Sequence, residues 1–260
     1  MVRRNRVRGL VGSAVLALSL TGLAGCGSGS AGAEGTGPAR YTSAEALSAA
    51  VVAAIRAEGS YLTHMTQSTD PLVVDTAMTL TAGGPAYAVT VSTRDQVDSL
   101  VSVDGSYYLR SATVDTEATR WTQVPSGSVT SNPRVASFAL EADWATRFDA
   151  LRLAKSFDAS APKEVDGESI TIYTLVVDSA ALPKMLRLDL LPEDKRAALV
   201  QSLQGQSAVL VVNLGDDDLP RKVVWSYRAS DSLTVDTHYG FSEWGKTHVV
   251  APPAELIDKS

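Results

Sequence analysis

Short segments that alternate apolar and polar residues recur along most of this chain, and this pattern constrains its fold more than any other feature. Four of them follow one another, "SYLTHMTQST", "LVVDTAMTLTA", "AYAVTVST" and "QVDSLVSV", and three come near the end, "SAVLVVNLG", "RKVVWSYRAS" and "SLTVDTHYG". Alternation with a period of two is typical of β-strands that bury one face. The pairs Asp104–Gly105 and Asp166–Gly167 favour tight hairpins, so we expect neighbouring strands to pair antiparallel.

A helical segment precedes the first strand. The stretch "YTSAEALSAAVVAAIRAEG" has apolar residues at helical spacing. Thr42 and Glu45 have the spacing of a capping box, and Gly59 is a C-terminal stop signal. A helix is therefore predicted between Thr42 and Gly59.

Two further helical segments separate the early strands from the later ones. The stretch "PRVASFALEADWATRFDALRL" has helical composition, and "LPEDKRAALVQSL" has the pattern of a short helix with Pro192 at its start. The order helix, strands, helices, strands predicts an α+β fold: a single curved antiparallel β-sheet, or half-barrel, with helices covering its concave face. With 260 residues, of which 45% are hydrophobic, the chain is long enough for a sizeable core.

The N-terminus has the order of features of a secretory signal. The stretch "MVRRNRVRG" carries four arginines and no acidic residue, and "LVGSAVLALSLTGLAG" is apolar and ends in small residues. The apolar run is shorter than the roughly 20 residues of a confident transmembrane helix. We predict that residues 1–25 are a lipoprotein signal peptide that directs export by the general route.

The residue that follows this signal is the only cysteine of the chain. Leu23, Ala24 and Gly25 precede Cys26, and this junction closely resembles the lipobox of bacterial lipoproteins, in which the cysteine is acylated and becomes residue one. The alternative is a free thiol beside an ordinary cleavage site. Each buried methylene contributes about 0.8 kcal/mol, so two or three acyl chains hold a protein on a membrane. We predict a protein anchored through acylated Cys26 to the outer face of the cell membrane.

The sequence after Cys26 predicts a tether and one acidic domain. Residues 26–40 are rich in Gly, Ser and Ala, which is typical of a flexible linker, and residues 41–260 are predicted to form the folded domain. No cysteine remains for a disulfide, so the domain depends on its apolar core. Loss of the four signal arginines leaves 19 basic and 29 acidic residues, a net charge near −10. This charge is unsuited to binding nucleic acid.

The stretch "GFSEWGKT", residues 240–247, fits the phosphate-loop pattern G-x-x-x-x-G-K-[ST]. Such a loop needs a following helix, whereas Pro252 and Pro253 come soon after, and residues before proline favour extended conformations. We therefore predict that no nucleotide binds here. We expect this stretch to end the last strand, with turns at Gly240 and Gly245 and Trp244 packed at the edge of the sheet.

No pattern of a catalytic or metal site is complete. His64, His238 and His248 lack metal-ligand spacing, and Ser160–Lys163 fits S-x-x-K without the motifs that accompany it in penicillin-interacting enzymes. The acidic stretch "GDDDLP" lacks the spacing of a calcium loop and is expected to be a hairpin turn. We predict no enzyme activity, no metal and no cofactor. An envelope hydrolase stays as a third hypothesis, because triads assemble from distant positions.

Apolar residues that share a strand or helix face are the candidate lining of a cavity. The default interpretation of such faces is a packed core, and a cavity needs a gap that alternation does not reveal. In the first helix, Ala49, Ala50, Ala53 and Ala54 would either leave space against the sheet or allow close packing. The candidate cavity residues are Leu47, Val51, Ile55, Val74, Met78, Leu80, Tyr87, Val89, Val91, Ile170, Ile172, Leu210 and Val212.

Several short motifs taken together resemble a known group of proteins. Besides the lipobox and tether, the stretches that carry this resemblance are, in order, "VDGSYYLR", "RWTQV", "YTLVVD", "VNLGDDDLPRKVVWSY" and "YGFSEWGKTHVVAPPAE". From about Tyr41 to Glu255, the chain resembles actinobacterial lipoproteins of the LppX/LprA/LprF/LprG type. The resemblance implies a half-barrel over helices, similar to LolA-like carriers. It also implies an apolar cavity for acyl chains of envelope lipids or lipoglycans and, for some members, a membrane exporter as partner. Apart from Cys26 it assigns no binding residue.

Two functional hypotheses follow from these features. The first is a membrane-anchored lipoprotein that binds a lipid or glycolipid for carriage or transfer across the cell envelope. The second is an envelope sensor or scaffold that binds a protein partner and carries no lipid. An apolar cavity favours the first, whereas a fully packed core with a large exposed apolar patch favours the second.

Overall fold

The computed structural model describes residues 38–68, 72–81, 84–113, 121–125, 133–230, 233–246, 248, 250–251 and 253. The predicted signal peptide, Leu23, Ala24, Gly25 and Cys26, and most of the predicted tether lie outside the described residues. Among the residues that are described, no helix has the length and apolar character needed to cross a membrane.

The described residues form five α-helices and twelve strands. The three predicted helical segments are present, whereas the short helix Leu182–Met185 and the short strands Ser156–Ala159 and Lys163–Val165 were not predicted. The helices are α1 (Ala44–Glu58), α2 (Pro133–Ala142), α3 (Trp144–Asp149), α4 (Leu182–Met185) and α5 (Glu193–Ser202), with 3-10 turns at Ala150–Leu153 and Leu188–Leu190. The strands are β1 (Ser60–Gln67), β2 (Val73–Thr81), β3 (Gly84–Ser92), β4 (Gln96–Val103), β5 (Ser106–Thr113), β6 (Thr122–Val124), β7 (Ser156–Ala159), β8 (Lys163–Val165), β9 (Glu168–Asp178), β10 (Ser207–Gly215), β11 (Pro220–Ser230) and β12 (Leu233–Ser242).

All of these strands belong to one antiparallel sheet. Its order is β6-β5-β4-β3-β2-β1-β12-β11-β10-β9-β7, and β8 pairs with β9 beside β7. The central pairing joins β1 to β12, with Leu62 opposite Ser242 and Gln67 opposite Thr237. The sheet is open, and α1, α2 and α3 pack against one of its faces. The predicted α+β half-barrel with a single antiparallel sheet is confirmed.

The two Asp-Gly pairs form the tight turns that the sequence predicts. Asp104 and Gly105 have φ angles of 48° and 73° between β4 and β5, and Asp166 and Gly167 have φ angles of 55° and 80° between β8 and β9. Positive φ at both central residues is the requirement of a type I′ turn. These pairs therefore set the register of two hairpins.

Helix α1 ends as predicted but begins one residue later than the predicted capping box. Ser43, with an extended backbone, accepts a hydrogen bond on its Oγ from the Ala46 N–H over 3.1 Å. The predicted cap at Thr42 is wrong, because the third helical residue is Ala46 rather than Glu45. Gly59 has a φ of 72° and donates its N–H to the Ile55 carbonyl, so the predicted stop is confirmed.

Aromatic side chains fill the centre of the core between the helices and β1 and β12. Trp144 lies edge-on to Tyr239 at 4.6 Å and to Phe241 at 4.9 Å between ring centroids. Phe241 stacks on Trp244 at 5.7 Å, and Trp244 also contacts Tyr61 at 5.0 Å. The predicted position of Trp244 at the edge of the sheet is wrong: Trp244 lies in the turn after β12, a strand inside the sheet, and packs on core rings rather than beside an edge strand.

Candidate functional site

A cavity of about 620 Å³, partly open to solvent, lies between the helices and the β2–β5 half of the sheet. This volume falls within the roughly 300–1,000 Å³ that is usual for small-molecule sites. Its walls come from the end of α1, from β2, β3 and β5, from α2 and α3, and from the turn after α4. The lining residues are Ile55, Arg56, Met78, Leu80, Pro85, Tyr87, Tyr107, Ala139, Ala142, Asp143, Ala145, Thr146, Arg187 and Leu190.

The wall of this cavity is mainly apolar. Ile55, Met78 and Tyr87 are buried on the sheet and α1 sides, and Leu80 is 42% exposed and lies where the cavity meets solvent. Burial raises the pKa of Tyr87, and the neighbouring Tyr107 adds to this effect. Tyr87 therefore contributes an uncharged hydroxyl to a wall that otherwise presents hydrocarbon.

Three alanines account for the empty space on the helical side. Ala139, Ala142 and Ala145 line the cavity from α2 and α3 and follow one another at intervals of three residues. Ala139 and Ala142 share a face of α2, and Ala145 joins the same wall from α3 on the other side of Asp143. Each of the three contributes only a methyl group to this wall. The four alanines of α1 are not among the lining residues of this cavity. Ala49 and Ala53 are exposed, Ala50 is half-buried, and Ala54 packs against the core.

A network of charged side chains stands at one end of the cavity. Asp143 caps α3, accepting from the Thr146 N–H over 3.0 Å and from the Thr146 hydroxyl over 2.6 Å. Arg187 donates from Nη1 to Oδ2 of Asp143 over 2.6 Å and from Nε to Asp189 over 3.3 Å. The side chain of Arg187 is only 14% exposed, so this guanidinium is held in place by two carboxylates.

The backbone of Arg187 is in the left-handed region, with φ 51° and ψ 40°. Residues other than glycine rarely adopt this conformation, which costs on the order of 1–3 kcal/mol, and such strain clusters at functional sites. Ion pairs to Asp143 and Asp189 stabilise the strained turn. Arg187 is thus fixed in position by its backbone as well as by its side chain.

A second cavity of about 420 Å³ lies directly beside the first, and Thr146 and Arg187 belong to the walls of both. The second cavity, called the polar cleft below, has a larger share of polar and charged residues in its wall, although hydrocarbon makes up most of its surface, as in the first cavity. Its lining residues are Thr146, Asp149, Ala150, Pro183, Lys184, Arg187, Leu188, Asp189 and Arg196.

The structure distributes the predicted cavity residues among three places. Ile55, Met78, Leu80 and Tyr87 line the cavity. Leu47, Val51, Val74, Val89, Val91, Leu210 and Val212 pack into the core beside it.

Ile170 and Ile172 lie on the opposite face of the sheet, so their assignment to the cavity face is wrong. Tyr173 pairs with Val212 and Leu175 with Leu210, whereas Ile172 pairs with Asn213. Because directly paired residues share a face, it is the odd-numbered residues of β9 that face the core.

On the helix-covered face of the sheet, the aromatic residues and a buried cation fill the space over β1 and β12. Arg147 is 5% exposed, donates to Oε1 of Glu141 over 3.2 Å and lies 4.8 Å from the Trp144 ring. Burial lowers the pKa of Arg147, but Glu141 and Tyr239 outweigh that effect, and the pKa is raised overall. The guanidinium therefore stays charged inside the core.

The polar motifs of the sequence lie away from this cavity. His64 contacts Asp75 at 2.7 Å on the exposed face of the sheet, where both side chains are about 60% exposed. No group of three or more His, Cys, Asp or Glu residues suited to a metal ion occurs within the described parts of the chain.

The phosphate-loop pattern also lies outside the cavity wall and begins inside a strand. Gly240 belongs to β12 and pairs with His64, so the predicted turn at Gly240 is wrong. Gly245 has a φ of 69° and lies in a turn, as predicted. The described residues of the pattern, 240–246, form a strand end and a turn rather than a loop that leads into a helix.

Sequence reasoning missed the polar residues of the site. The spacing of Ala139, Ala142 and Ala145 is a signal that could have identified the helical wall. No local pattern distinguishes Arg56, Asp143 or Arg187, because each reaches the site through contacts between distant segments.

The chain resembles solved structures, although neither known protein families nor curated proteins match its sequence. LprF from Mycobacterium bovis superimposes with a TM-score of 0.51 at 13% identity, covering 81% of this chain and 97% of that one. The lipoprotein LppX from Mycobacterium tuberculosis gives a TM-score of 0.49 at 14% identity, covering 79% of this chain and 98% of that one; a likeness at this score supports no conclusion alone. The chain has the LprF-type fold, and the predicted resemblance is confirmed at the level of the fold.

Proposed function

We propose that this protein is a membrane-anchored lipoprotein that binds acyl chains of envelope lipids or lipoglycans in the cavity between α2, α3 and the sheet, and carries them across the cell envelope. The observation that carries this proposal is the apolar cavity of about 620 Å³ lined by Ile55, Met78, Leu80 and Tyr87. The LprF-type fold and the lipobox sequence before Cys26 support it.

The composition of the wall suits carriage of hydrocarbon. Removing apolar surface from water stabilises the bound state by roughly 25 cal/mol per Å². A wall with few polar groups provides this stabilisation for acyl chains in general, because it makes few directional contacts that would select one of them. The three alanines of the helical wall leave room for the chain. Carriage requires no catalytic group, so we propose a non-enzymatic role without cofactor or metal.

The anchor and the partner belong to the same proposal. Acylation of Cys26 would hold the domain at the outer face of the cell membrane, where lipids leave the bilayer. A membrane exporter is the partner that would deliver a lipid to the cavity.

A filled cavity is the most direct test. Delipidated protein is titrated with a fluorescent fatty acid, and Ala139→Leu, which fills the helical wall, is compared with Ala197→Leu on the exposed face of α5. We expect Ala139→Leu to weaken binding at least tenfold and Ala197→Leu to leave it unchanged, with both proteins folded. Absence of any co-purifying lipid from native membranes, together with no binding by the parent protein, would overturn the proposal.

One observation favours the second function, a protein-binding sensor or scaffold. Helix α5 exposes Leu199 by 42% and Val200 by 37%, and apolar side chains in such positions suit a protein contact. A Leu199→Ser, Val200→Ser variant separates the two functions, because a carrier retains fatty-acid binding when these residues are changed.

A further inference from the structure

We infer that the polar cleft binds the anionic, phosphate-bearing head group of the lipid whose acyl chains occupy the cavity. This inference rests on the proposed function, since it assigns the cleft to the same ligand. The first observation is adjacency: the cavity and the cleft share Thr146 and Arg187 in their walls. A ligand with its acyl chains in the cavity would therefore need to pass only these two side chains for its head group to reach the cleft.

The charges around the two spaces do not balance. The linings contain Arg56, Lys184, Arg187 and Arg196 as cations, and Asp143, Asp149 and Asp189 as anions. Every one of these carboxylates has an arginine partner: Arg187 pairs with Asp143 and Asp189, and Arg152 pairs with Asp149.

Three cations of the linings are left without such a partner. Arg56, Lys184 and Arg196 form no ion pair with any residue that the structure describes. Arg56 lies in the cavity wall, and Lys184 and Arg196 lie in the wall of the cleft. An anion that enters the cleft would meet unneutralised positive charge, with the charged network of Arg187 beside it.

This local excess of positive charge contrasts with the rest of the protein. The whole chain has a net charge of −6, so unpaired cations around one pair of cavities are not a consequence of composition. Guanidinium groups match the geometry of phosphate and donate charge-assisted hydrogen bonds to it. The strained φ of 51° at Arg187 lies where the two spaces meet, which agrees with a binding role at that point.

Short-chain lipids that differ only in their head group test the inference. Dioctanoyl phosphatidic acid and dioctanoylglycerol have the same acyl chains, and inorganic phosphate alone represents the head group without a lipid. Each is titrated into delipidated protein in competition with an uncharged fluorescent alkyl probe, and phosphate binding is also measured by calorimetry. We expect phosphatidic acid to bind about tenfold more tightly than dioctanoylglycerol, with this preference reduced at high salt.

Matched variants locate the preference. Lys184→Gln with Arg196→Gln removes two cations from the cleft, and Lys222→Gln with Arg228→Gln removes two exposed cations of β11. We expect the first pair to reduce the preference for phosphatidic acid to about twofold without changing dioctanoylglycerol binding, and the second pair to leave it intact.

The outcomes separate this inference from the proposed function. Equal binding of both lipids, or a preference that survives in the cleft variant, would overturn the head-group site while lipid carriage stands. Binding of phosphate without either lipid would show an anion site unrelated to lipid and overturn both. Binding of none of the three would likewise overturn both.

Discussion

Arg187 donates a hydrogen bond from Nη1 to Oδ2 of Asp143 across 2.6 Å, which joins the turn after α4 to the residue that caps α3. The two residues are 44 positions apart in the sequence. Their contact stands at the wall that the cavity and the polar cleft share, so it couples the stability of α3 to the shape of the candidate site.

Removing the carboxylate of Asp143 is expected to destabilise the protein through two separate contacts. Asp143→Ala loses the cap of α3 and the ion pair, and we expect a loss of about 1–2 kcal/mol in the free energy of unfolding. Asp143→Asn keeps an oxygen that accepts from the Thr146 N–H, so the loss should be about half as large. Urea denaturation of both variants measures this, and equal losses would show that the cap contributes nothing.

The buried ion pair of Arg147 and Glu141 predicts an asymmetric response. Glu141→Gln leaves a buried guanidinium without a charged partner, which costs about 3 kcal/mol. Arg147→Met removes the buried charge, and the remaining Glu141 side chain is 21% exposed and can be hydrated. We expect Arg147→Met to cost less than Glu141→Gln, and the double variant to resemble Arg147→Met. Urea denaturation of the three variants measures these losses of stability. A larger loss for Arg147→Met than for Glu141→Gln would contradict the argument that an unpaired buried guanidinium is the costlier state.

Buried tyrosines predict a loss of stability at alkaline pH. Burial raises the pKa of Tyr61, Tyr87 and Tyr239, and burial together with Asp218 raises the pKa of Tyr41 to about 12. The unfolded chain releases these protons near pH 10, whereas the folded protein retains them. The contribution is therefore complete below about pH 10 and is lost as the pH rises toward the folded pKa values.

Two measurements follow this alkaline transition. The melting temperature should fall steadily above about pH 10. Tyrosinate absorbance should show that at least three of the eight tyrosines, Tyr61, Tyr87 and Tyr239, ionise only when the protein unfolds, with protein in denaturant as the control. Ionisation of all eight near pH 10 in folded protein would contradict the burial of these side chains.

The start of α1 provides a paired test of a single residue. Ser43 accepts from the Ala46 N–H, so Ser43→Ala should cost about 1 kcal/mol. Thr42 precedes the cap and is exposed, so Thr42→Ala should change stability by less than about 0.5 kcal/mol. Thermal denaturation of the two variants distinguishes them, and a larger effect at Thr42 would restore the capping box of Thr42 and Glu45.

Local signals predicted the longer helices and strands, missed the short elements α4, β7 and β8, and did not decide which faces of the strands are buried. Hairpin turns at Asp104 and Asp166 and the stop at Gly59 were predictable because left-handed backbone conformations depend on the residue itself. The buried face of β9 was not predictable, because Ile170, Ile172 and Val176 alternate as regularly as Tyr173, Leu175 and Val177. Pairing with Leu210 and Val212 of β10 decides which set is buried.

By itself, the sequence determined that this chain builds a helix-covered antiparallel sheet, because period-two and helical patterns, Asp-Gly turns and capping residues act over a few neighbours. It also predicts a signal peptide and a lipobox that ends at Cys26. Only the tertiary structure decided where empty space remains. Trp144, Phe241 and Trp244 fill the centre of the sheet, whereas Ala139, Ala142 and Ala145 face β2 and β3 and leave a cavity that Arg187 and Asp143 border. A gap is a property of side chains that meet from distant segments, so it is set by packing rather than by local patterns.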